Sequence, residues 1–241
     1  MDPVLSNIDR PFQLVLIRHA ESARNKAKRG NIYFTDDETR AKVKGIPDHE
    51  IPITETGITQ ARDTGLALWA RHGLPDYIYH SGYLRTIQTM EQILGASSRQ
   101  GDLKQIKIRE SMFIRERDPG FAYDMTTQEA ERHFPWLKEY WQTFGGWFGR
   151  PPGGESLADV AKRVYQFLNM LFRDRRGRIV WVITHGGTLR AFRFLLERWT
   201  YKQAFGWPEG QSPENCGITT YNYDKEQGRL LLSSYNQVLW K

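Results

Sequence analysis

The sequence predicts an α/β fold built on a mainly parallel central sheet, and two short apolar runs carry that prediction. Residues 14–17 are Leu-Val-Leu-Ile, a run too short for a helix and typical of a strand buried on both faces. Residues 179–184 form a second such run. The length of 241 residues and the hydrophobic content of 39% fit one large α/β domain or two small ones.

Both predicted strands end in residues that carry chemistry. Arg18 and His19 follow the first strand, and His185 with two glycines follows the second. Ligands bind at the carboxyl ends of parallel strands, and a helix predicted over residues 22–29 would point its free amide groups at the same place. Each histidine alone is explained by an ordinary hydrogen-bonded role, but two histidines at two strand ends indicate one shared site.

The remaining elements are predicted from apolar periodicity and from residues that end helices or form turns. They are helices over 56–71, 81–94, 156–173 and 188–197, strands over 76–80 and near 106–108, and a closing hairpin of strands 218–223 and 230–234. The polar stretch 30–52 has no sustained period and contains turn residues. It is predicted to be a surface loop that can overhang the site.

Residues 119–154 differ from the rest of the chain because aromatic side chains crowd into this short stretch. Thr126 and Glu129 form a predicted capping box, and glycine and proline pairs mark the far end. We predict a single domain over residues 1–241 with an inserted aromatic cap at about 117–154 that covers the active face. The alternative is that at least half of these aromatic residues only form a small core within the inserted segment.

Charge and cysteine content exclude several classes of protein. Lys and Arg outnumber Asp and Glu by 34 to 28, but the basic residues are scattered, which predicts local anion pockets and no nucleic-acid binding. The single cysteine, Cys216, excludes an internal disulfide framework. No apolar run approaches the roughly 20 residues of a membrane span, and residues 1–10 lack a signal-peptide pattern. We therefore expect a soluble, cytoplasmic protein that does not contact a membrane. The sequence makes no prediction of its oligomeric state.

Several polar residues stand at or just after predicted strand ends although they are far apart in the sequence. They are Arg18, His19, Arg85, Glu116 and His185. This set suits phosphoryl transfer, because guanidinium groups bind a phosphate dianion in a bidentate manner and stabilise charge in the transition state. A neutral imidazole can attack phosphorus, and a carboxylic acid can protonate the leaving alcohol. For Arg85 alone, the competing interpretation is a solvated helix charge.

At these residues the sequence resembles the histidine phosphatase superfamily, which includes cofactor-dependent phosphoglycerate mutases and broad acid phosphatases. The resemblance runs from residue 14 to about residue 194 and rests on motifs that occur in the family's order. They are RHAESARN at 18–25, PITETGITQA at 52–61, SGYLRTIQT at 81–89, RERDPG at 115–120, GES at 154–156 and HGG at 185–187.

The resemblance implies a three-layer α/β/α sandwich and a role for each matched residue. His19 is the expected nucleophile that becomes phosphorylated, and Glu116 is the expected proton donor. The residues expected to bind the phosphoryl group are Arg18, Asn25, Arg85 and His185. No metal and no cofactor is expected, and the expected partner is a small phosphomonoester substrate.

Two residues depart from the family's pattern. Ala20 stands where the family usually has glycine, so this position must tolerate a side chain and avoid a positive φ. Arg24 replaces a common aromatic residue and either adds a positive rim to the pocket or faces water.

Other phosphoryl-transfer classes lack their required residues. Cys216 is not followed by the arginine of a cysteine-dependent phosphatase loop, and no Gly-rich P-loop ending in Lys-Ser or Lys-Thr occurs. The other histidines show no pair at metal-ligand spacing; they are His49, His72, His80 and His133. The rival from another class is a non-catalytic protein that binds phosphate or phosphopeptide on the same fold. Such a protein would not need both a nucleophile and an acid.

Hydrolysis is predicted in preference to a mutase reaction of the phosphoglycerate type. A mutase must hold a bisphosphorylated intermediate and needs additional cations, whereas the basic residues between Glu116 and Glu155 are dispersed among aromatic ones. An aromatic wall favours a phosphomonoester that carries an apolar or flat organic group. The reservation is the loop 26–44, whose basic residues can provide the missing charge if the loop folds over the site.

Overall fold

A six-stranded mixed sheet forms the centre of the computed structural model, which describes residues 9–28, 33–98, 101–205 and 212–241. The strands are β1 (Gln13–Arg18), β2 (Tyr77–His80), β3 (Lys107–Glu110), β4 (Ile179–Thr184), β5 (Ile218–Asp224) and β6 (Arg229–Gln237). Their order is β3-β2-β4-β1-β5-β6, with β1 to β4 mutually parallel. The hairpin β5–β6 joins this group through antiparallel pairing of β5 with β1. The predicted mainly parallel sheet with its closing hairpin is confirmed.

Helices connect the strands, and none in the described ranges is both long and apolar enough to cross a membrane. They are α1 (Ala23–Lys28), α2 (Asp37–Ala41), α3 (Glu55–His72), α4 (Leu84–Gly95), α5 (Thr127–His133), α6 (Leu137–Phe144), α7 (Leu157–Asp174), α8 (Gly186–Leu196) and α9 (Tyr201–Phe205). The long helices match the predicted ones closely. The largest difference is at α4, which was predicted to begin at residue 81 but begins at Leu84. Gly82 has a φ of 83°, which is outside the helical range, so the helix does not extend back to residue 81.

The stretch 30–52, predicted to be an irregular loop, contains regular structure over its described residues. It includes α2 and a short 3-10 helix at Asp48–Glu50. Asp36 begins α2 by accepting a hydrogen bond from the Thr39 amide at 2.8 Å. A single capping residue therefore starts a helix that is too short to show an apolar period.

The two faces of the sheet bury separate apolar cores. Leu14 and Leu16 of β1 pack into the core that contains α7 and α8. Val15 and Ile17 enter the core that contains α3 and α4. Because successive side chains of a strand point to opposite faces, this alternation places helices on both sides of the sheet. The predicted three-layer α/β/α sandwich is confirmed.

The aromatic residues of the segment 119–154 fall into two groups. Trp147 is 1% exposed and packs against Phe194 of α8, with ring centres 4.4 Å apart, so it belongs to the main core. Trp136, Tyr140 and Phe144 instead contact one another along α6 and its start, and Trp136 and Phe144 are about half exposed. The contacts along α6 fit a small core within the segment, whereas Trp147 belongs to the main core. That the segment is a cap stays a prediction.

Gly57 provides a test of how the first turn of α3 fixes the segment after β1. A Cβ atom at Gly57 would lie 2.3 Å from the carbonyl oxygen of Glu21, which accepts a hydrogen bond from Thr54 at 2.9 Å. We expect Gly57→Ala to lower the free energy of unfolding by about 1 to 3 kcal/mol, as other overpacked sites do. Urea denaturation measures this, with Gly95→Ala as the control, since a Cβ there meets nothing within 4 Å. Equal stability of the two variants would contradict the close approach.

Candidate active site

A cavity of about 860 Å³ lies at the carboxyl ends of β1 and β4. The predicted site residues that line it are Arg18, His19, Asn25, Arg85 and Glu116. The remaining one, His185, is fully buried, and its ring centre lies 5.1 Å from that of His19. The parallel pairing explains this convergence, because Arg18 stands opposite Thr184 and the residues that follow emerge side by side.

His19 is buried and held in one orientation. Its Nδ1 donates a hydrogen bond to the carbonyl oxygen of Ala20 at 2.7 Å, which leaves Nε2 as the ring nitrogen with a free lone pair. Burial lowers the pKa of His19 well below its usual value, and the nearby Arg85 and Arg18 lower it further. The imidazole is therefore neutral near pH 7, which is the form that acts as a nucleophile.

His185 and Glu116 face each other across the site. The Nε2 atom of His185 lies 2.8 Å from the Ser81 hydroxyl. Its Nδ1 has no hydrogen-bond partner among the described residues and lies 3.5 Å from the Glu116 carboxylate. Burial, followed by the charge of Arg85, lowers the pKa of His185 well below its usual value. Burial raises the pKa of Glu116, and a protonated carboxyl group can donate a proton.

Asp118, two residues after Glu116, is another carboxyl group that could donate a proton, but it is directed elsewhere. Its carboxylate accepts a hydrogen bond from the amide of Gly120 at 3.0 Å, and Asp118 lines a different pocket. Glu116 lines the cavity, and its carboxylate lies within 4.8 Å of a ring nitrogen of each histidine.

The two arginines are held by different partners. Arg18 donates to the carbonyl oxygen of Pro213 at 2.5 Å, and its buried Nε has no hydrogen-bond partner in the part of the chain that the structure describes. Arg85 is 4% exposed, which excludes the solvated helix charge considered from the sequence. Its guanidinium group donates to Asp48, at 2.6 Å to the carbonyl oxygen and at 3.2 and 3.3 Å to the carboxylate.

Asn25 is oriented by donors that all bind its side-chain oxygen. Oδ1 accepts hydrogen bonds from the Ser22 amide at 3.2 Å, from the Ser22 hydroxyl at 3.0 Å and from Asn215 at 3.3 Å. The Asn25 Nδ2 group is therefore the part of the carboxamide left to donate to a ligand in the cavity. Ala20, the departure from the family pattern, is buried and has no positive φ, as expected.

Comparison with known proteins agrees with this geometry. A family model described as histidine phosphatase superfamily (branch 1) matches residues 14–236. The chain belongs to the histidine phosphatase superfamily.

Similar proteins carry names of both mutases and phosphatases. Phosphoglycerate mutase-like protein AT74H of Arabidopsis thaliana is 33% identical over 210 residues, which span 79% of this chain and 67% of that protein. A related plant protein, AT74, is matched over 61% of its own length. The 2,3-bisphosphoglycerate-dependent phosphoglycerate mutase of Rhizobium etli is 32% identical (78% and 81% covered). Broad-range acid phosphatase DET1 of Saccharomyces cerevisiae is 28% identical (80% and 81% covered).

Solved structures share the fold at lower sequence identity. A mycobacterial glucosyl-3-phosphoglycerate phosphatase in complex with inorganic phosphate has a TM-score of 0.68 and 20% identity, with 95% of this chain and 99% of that chain covered. A putative alpha-ribazole-5'-P phosphatase from Escherichia coli has a TM-score of 0.71 and 18% identity, with 94% and 97% covered.

Additional cations line the cavity of this histidine phosphatase superfamily member. They are Arg24 and Lys28 of α1, Arg117 beside Glu116, and Arg190 of α8. Arg24 is 8% exposed, so it adds a positive wall and does not face water. Burial, followed by the charge of Arg24, lowers the pKa of Lys28 to about 8. Of the basic residues between Glu116 and Glu155, Arg117 lines the cavity, and the other three additional cations come from α1 and α8.

Two residues that the sequence reasoning missed also contact the site. Asp48 binds Arg85, and Asn215 donates to the His19 carbonyl oxygen at 2.9 Å as well as to Asn25. Asp48 lay in a stretch recognised only as a loop, and Asn215 precedes the last strands without any motif around it. Both contacts join segments far apart in the chain, for which local patterns give no signal.

Among the described residues, one cluster brings metal-ligating atoms together. It consists of His19, Glu116 and His185, whose ligand atoms lie within 4.8 Å of one another. These residues are the ones assigned to phosphoryl chemistry from the sequence, and the expectation of a metal-independent reaction stays a prediction.

Proposed function

We propose that the protein hydrolyses phosphomonoesters through a phosphohistidine at His19, without a metal. The observation that carries this proposal is the state of His19: a buried, neutral imidazole with Nδ1 engaged and Nε2 free, between two arginines and near a carboxyl group. A protein that only binds phosphate has no need for this arrangement beside an acid.

The proposed reaction has two steps. In the first, Nε2 of His19 attacks phosphorus, the bond from phosphorus to the ester oxygen breaks, and Glu116 gives its proton to that oxygen. In the second, water attacks phosphorus and gives a proton to the Glu116 carboxylate as the N–P bond breaks. Inorganic phosphate then leaves. Charge on the transferring group is stabilised by Arg18, Asn25, Arg85 and His185.

The walls of the cavity support an organic phosphomonoester as substrate. Tyr33, Tyr123 and Trp141 line the cavity together with Pro119 and Pro151. We therefore assign the segment 117–154 as a cap that contacts the organic part of the substrate, since aromatic rings bury large apolar areas. Residues 1–241 are then one domain with this insertion.

A phosphoglycerate mutase-type phosphotransferase is the second candidate, and a specific observation favours it. Arg24, Lys28, Arg117 and Arg190 line the same cavity as the phosphoryl-binding residues. Cations in these positions can bind a second anionic group, which a bisphosphorylated intermediate would carry.

A covalent phosphohistidine is expected on the intact wild-type protein. After rapid quenching of a reaction with labelled substrate, an acid-labile phosphoryl label should be present in the wild type and absent from His19→Ala. Turnover of an aryl phosphate should fall at least roughly 10³-fold in His19→Ala, because the nucleophile is lost. Label that survives in His19→Ala and vanishes in His185→Ala would reverse the two assignments. A wild type that binds phosphate but hydrolyses no ester would favour the non-catalytic alternative.

Glu116→Gln is expected to slow alkyl phosphates by roughly 10²-fold or more and aryl phosphates by less, because a good leaving group needs less proton donation. The raised pKa of Glu116 also predicts that the wild-type rate on alkyl phosphates falls as the pH rises through that pKa. The Glu116→Gln variant should lack this decrease in rate with rising pH. Steady-state rates across pH measure both effects, with Asp118→Asn as the control. An equal decrease in rate on both substrates, or a larger decrease in Asp118→Asn, would show that Glu116 is not the proton donor.

Net hydrolysis is expected to exceed isomerisation. The decisive assay incubates the protein with 3-phosphoglycerate and catalytic 2,3-bisphosphoglycerate, and compares 2-phosphoglycerate formation with phosphate release from a panel of monoesters. The aromatic part of the cavity wall predicts faster phosphate release from at least one aromatic or apolar ester. Isomerisation faster than every hydrolysis in the panel would establish the mutase reaction instead.

A further inference from the structure

We propose that Asp48 is a positioning residue that holds Arg85 in the orientation needed to bind a phosphoryl group, and that Tyr123 in turn holds Asp48. The inference rests on the phosphoryl site of the proposed function and adds two residues to it. Neither residue belongs to a motif that the sequence reasoning connected with chemistry.

Asp48 grips the end of the Arg85 guanidinium group. One terminal nitrogen of Arg85 donates to both the carbonyl oxygen and the carboxylate Oδ1 of Asp48, at 2.6 and 3.2 Å. The other terminal nitrogen donates to Oδ2 at 3.3 Å. A guanidinium group has five N–H donors in a rigid plane, so a carboxylate bound across its end fixes the direction of the remaining donors.

The side edge of the same guanidinium group stays available. Within the described part of the chain, the Nε–H of Arg85 and the second hydrogen of the Nη2 nitrogen have no acceptor, and Arg85 lines the cavity with His19. This edge offers two parallel N–H groups, which match two oxygens of a phosphoryl group. Arg85 can therefore bind Asp48 and a substrate at the same time.

Asp48 is itself restrained by other segments of the chain. The Tyr123 hydroxyl donates a short hydrogen bond to its Oδ1, and Arg24 lies 3.9 Å from the same oxygen. The Arg24 guanidinium group stacks on the Tyr123 ring at 3.5 Å. Burial, followed by the charge of Asp48, raises the pKa of Tyr123, so the phenol keeps the proton that it donates.

The charges of the site explain why such a restraint is needed. Arg18, Arg24 and Arg85 line one cavity. Their positive charges repel one another when no anion is bound. The Asp48 carboxylate offsets part of this repulsion in the absence of substrate. It also limits the rotamers of a long side chain that would otherwise have to be ordered on binding.

The opposite interpretation is that Asp48 competes with the substrate for Arg85, and a phosphate-binding measurement separates the two. Isothermal calorimetry with inorganic phosphate measures affinity without turnover. Asp48→Asn keeps the shape of the side chain but turns one acceptor oxygen into a donor that faces Arg85. The positioning role predicts at least roughly tenfold weaker phosphate binding, because the Arg85 guanidinium group is no longer held in one orientation. Tighter or unchanged binding would overturn it.

Two further variants make the result specific. Tyr123→Phe removes one hydrogen bond to Asp48 and should weaken phosphate binding by about fourfold. Asp124→Asn is the matched control: Asp124 pairs with Arg24 at 3.5 Å, is partly exposed and is not among the described partners of Arg85, so binding should stay within about twofold. If Asp124→Asn weakened phosphate binding as much as Asp48→Asn does, the net charge of the site, and not the hydrogen bonds of Asp48 to Arg85, would set the affinity.

A double-mutant cycle tests whether Asp48 acts through Arg85. In an Arg85→Lys background, Asp48→Asn should weaken phosphate binding by less than about twofold, because the guanidinium group that Asp48 orients is absent. Additive losses would show a merely structural role, and thermal melts verify that each variant is folded. Phosphate binding by a wild type that hydrolyses no ester would refute the hydrolase proposal and leave this cycle valid. A wild type that binds no phosphate would overturn the positioning role.

Discussion

The parallel pairing of β1 with β4 is the constraint on which the site depends. Arg18 stands opposite Thr184, and the amide of His19 donates to the Thr184 carbonyl oxygen at 2.9 Å, so the two histidines leave the sheet as neighbours. A slip of one residue would turn every side chain of β1 to the other face. The alternating cores on the two sides of β1 prevent that slip, and packing energy thereby fixes the geometry of the candidate site.

Burial then gives these neighbours their chemical character. Removal from water favours the neutral forms of His19, His185 and Glu116, which suits a nucleophile and an acid. The guanidinium groups remain charged, since their pKa values start far above neutrality. The cavity thus has cations that can attract an anionic group beside uncharged groups with the chemistry that the proposed reaction needs, with Asp48 as a partial counter-ion.

Much of this structure could be predicted from the sequence, because the decisive signals are local. The apolar run at 14–17 specified β1, and the capping box that begins α7 at Ser156 specified the helix that covers it. The motif residues specified which side chains meet at the cavity. What escaped prediction depends on contacts between distant segments: Asp48 with Arg85, Asn215 with His19, and the burial of Arg24. No pattern within one element encodes such pairs.

The central place of β1 also has a consequence for biosynthesis. This strand is synthesised before both of its partners, β4 and β5, which lie between residues 179 and 224. Until that part of the chain emerges, four consecutive apolar residues have two unpaired edges, which is a state that invites aggregation. His19 acquires its complete environment only after β4 and Asn215 have been synthesised, because both contact it.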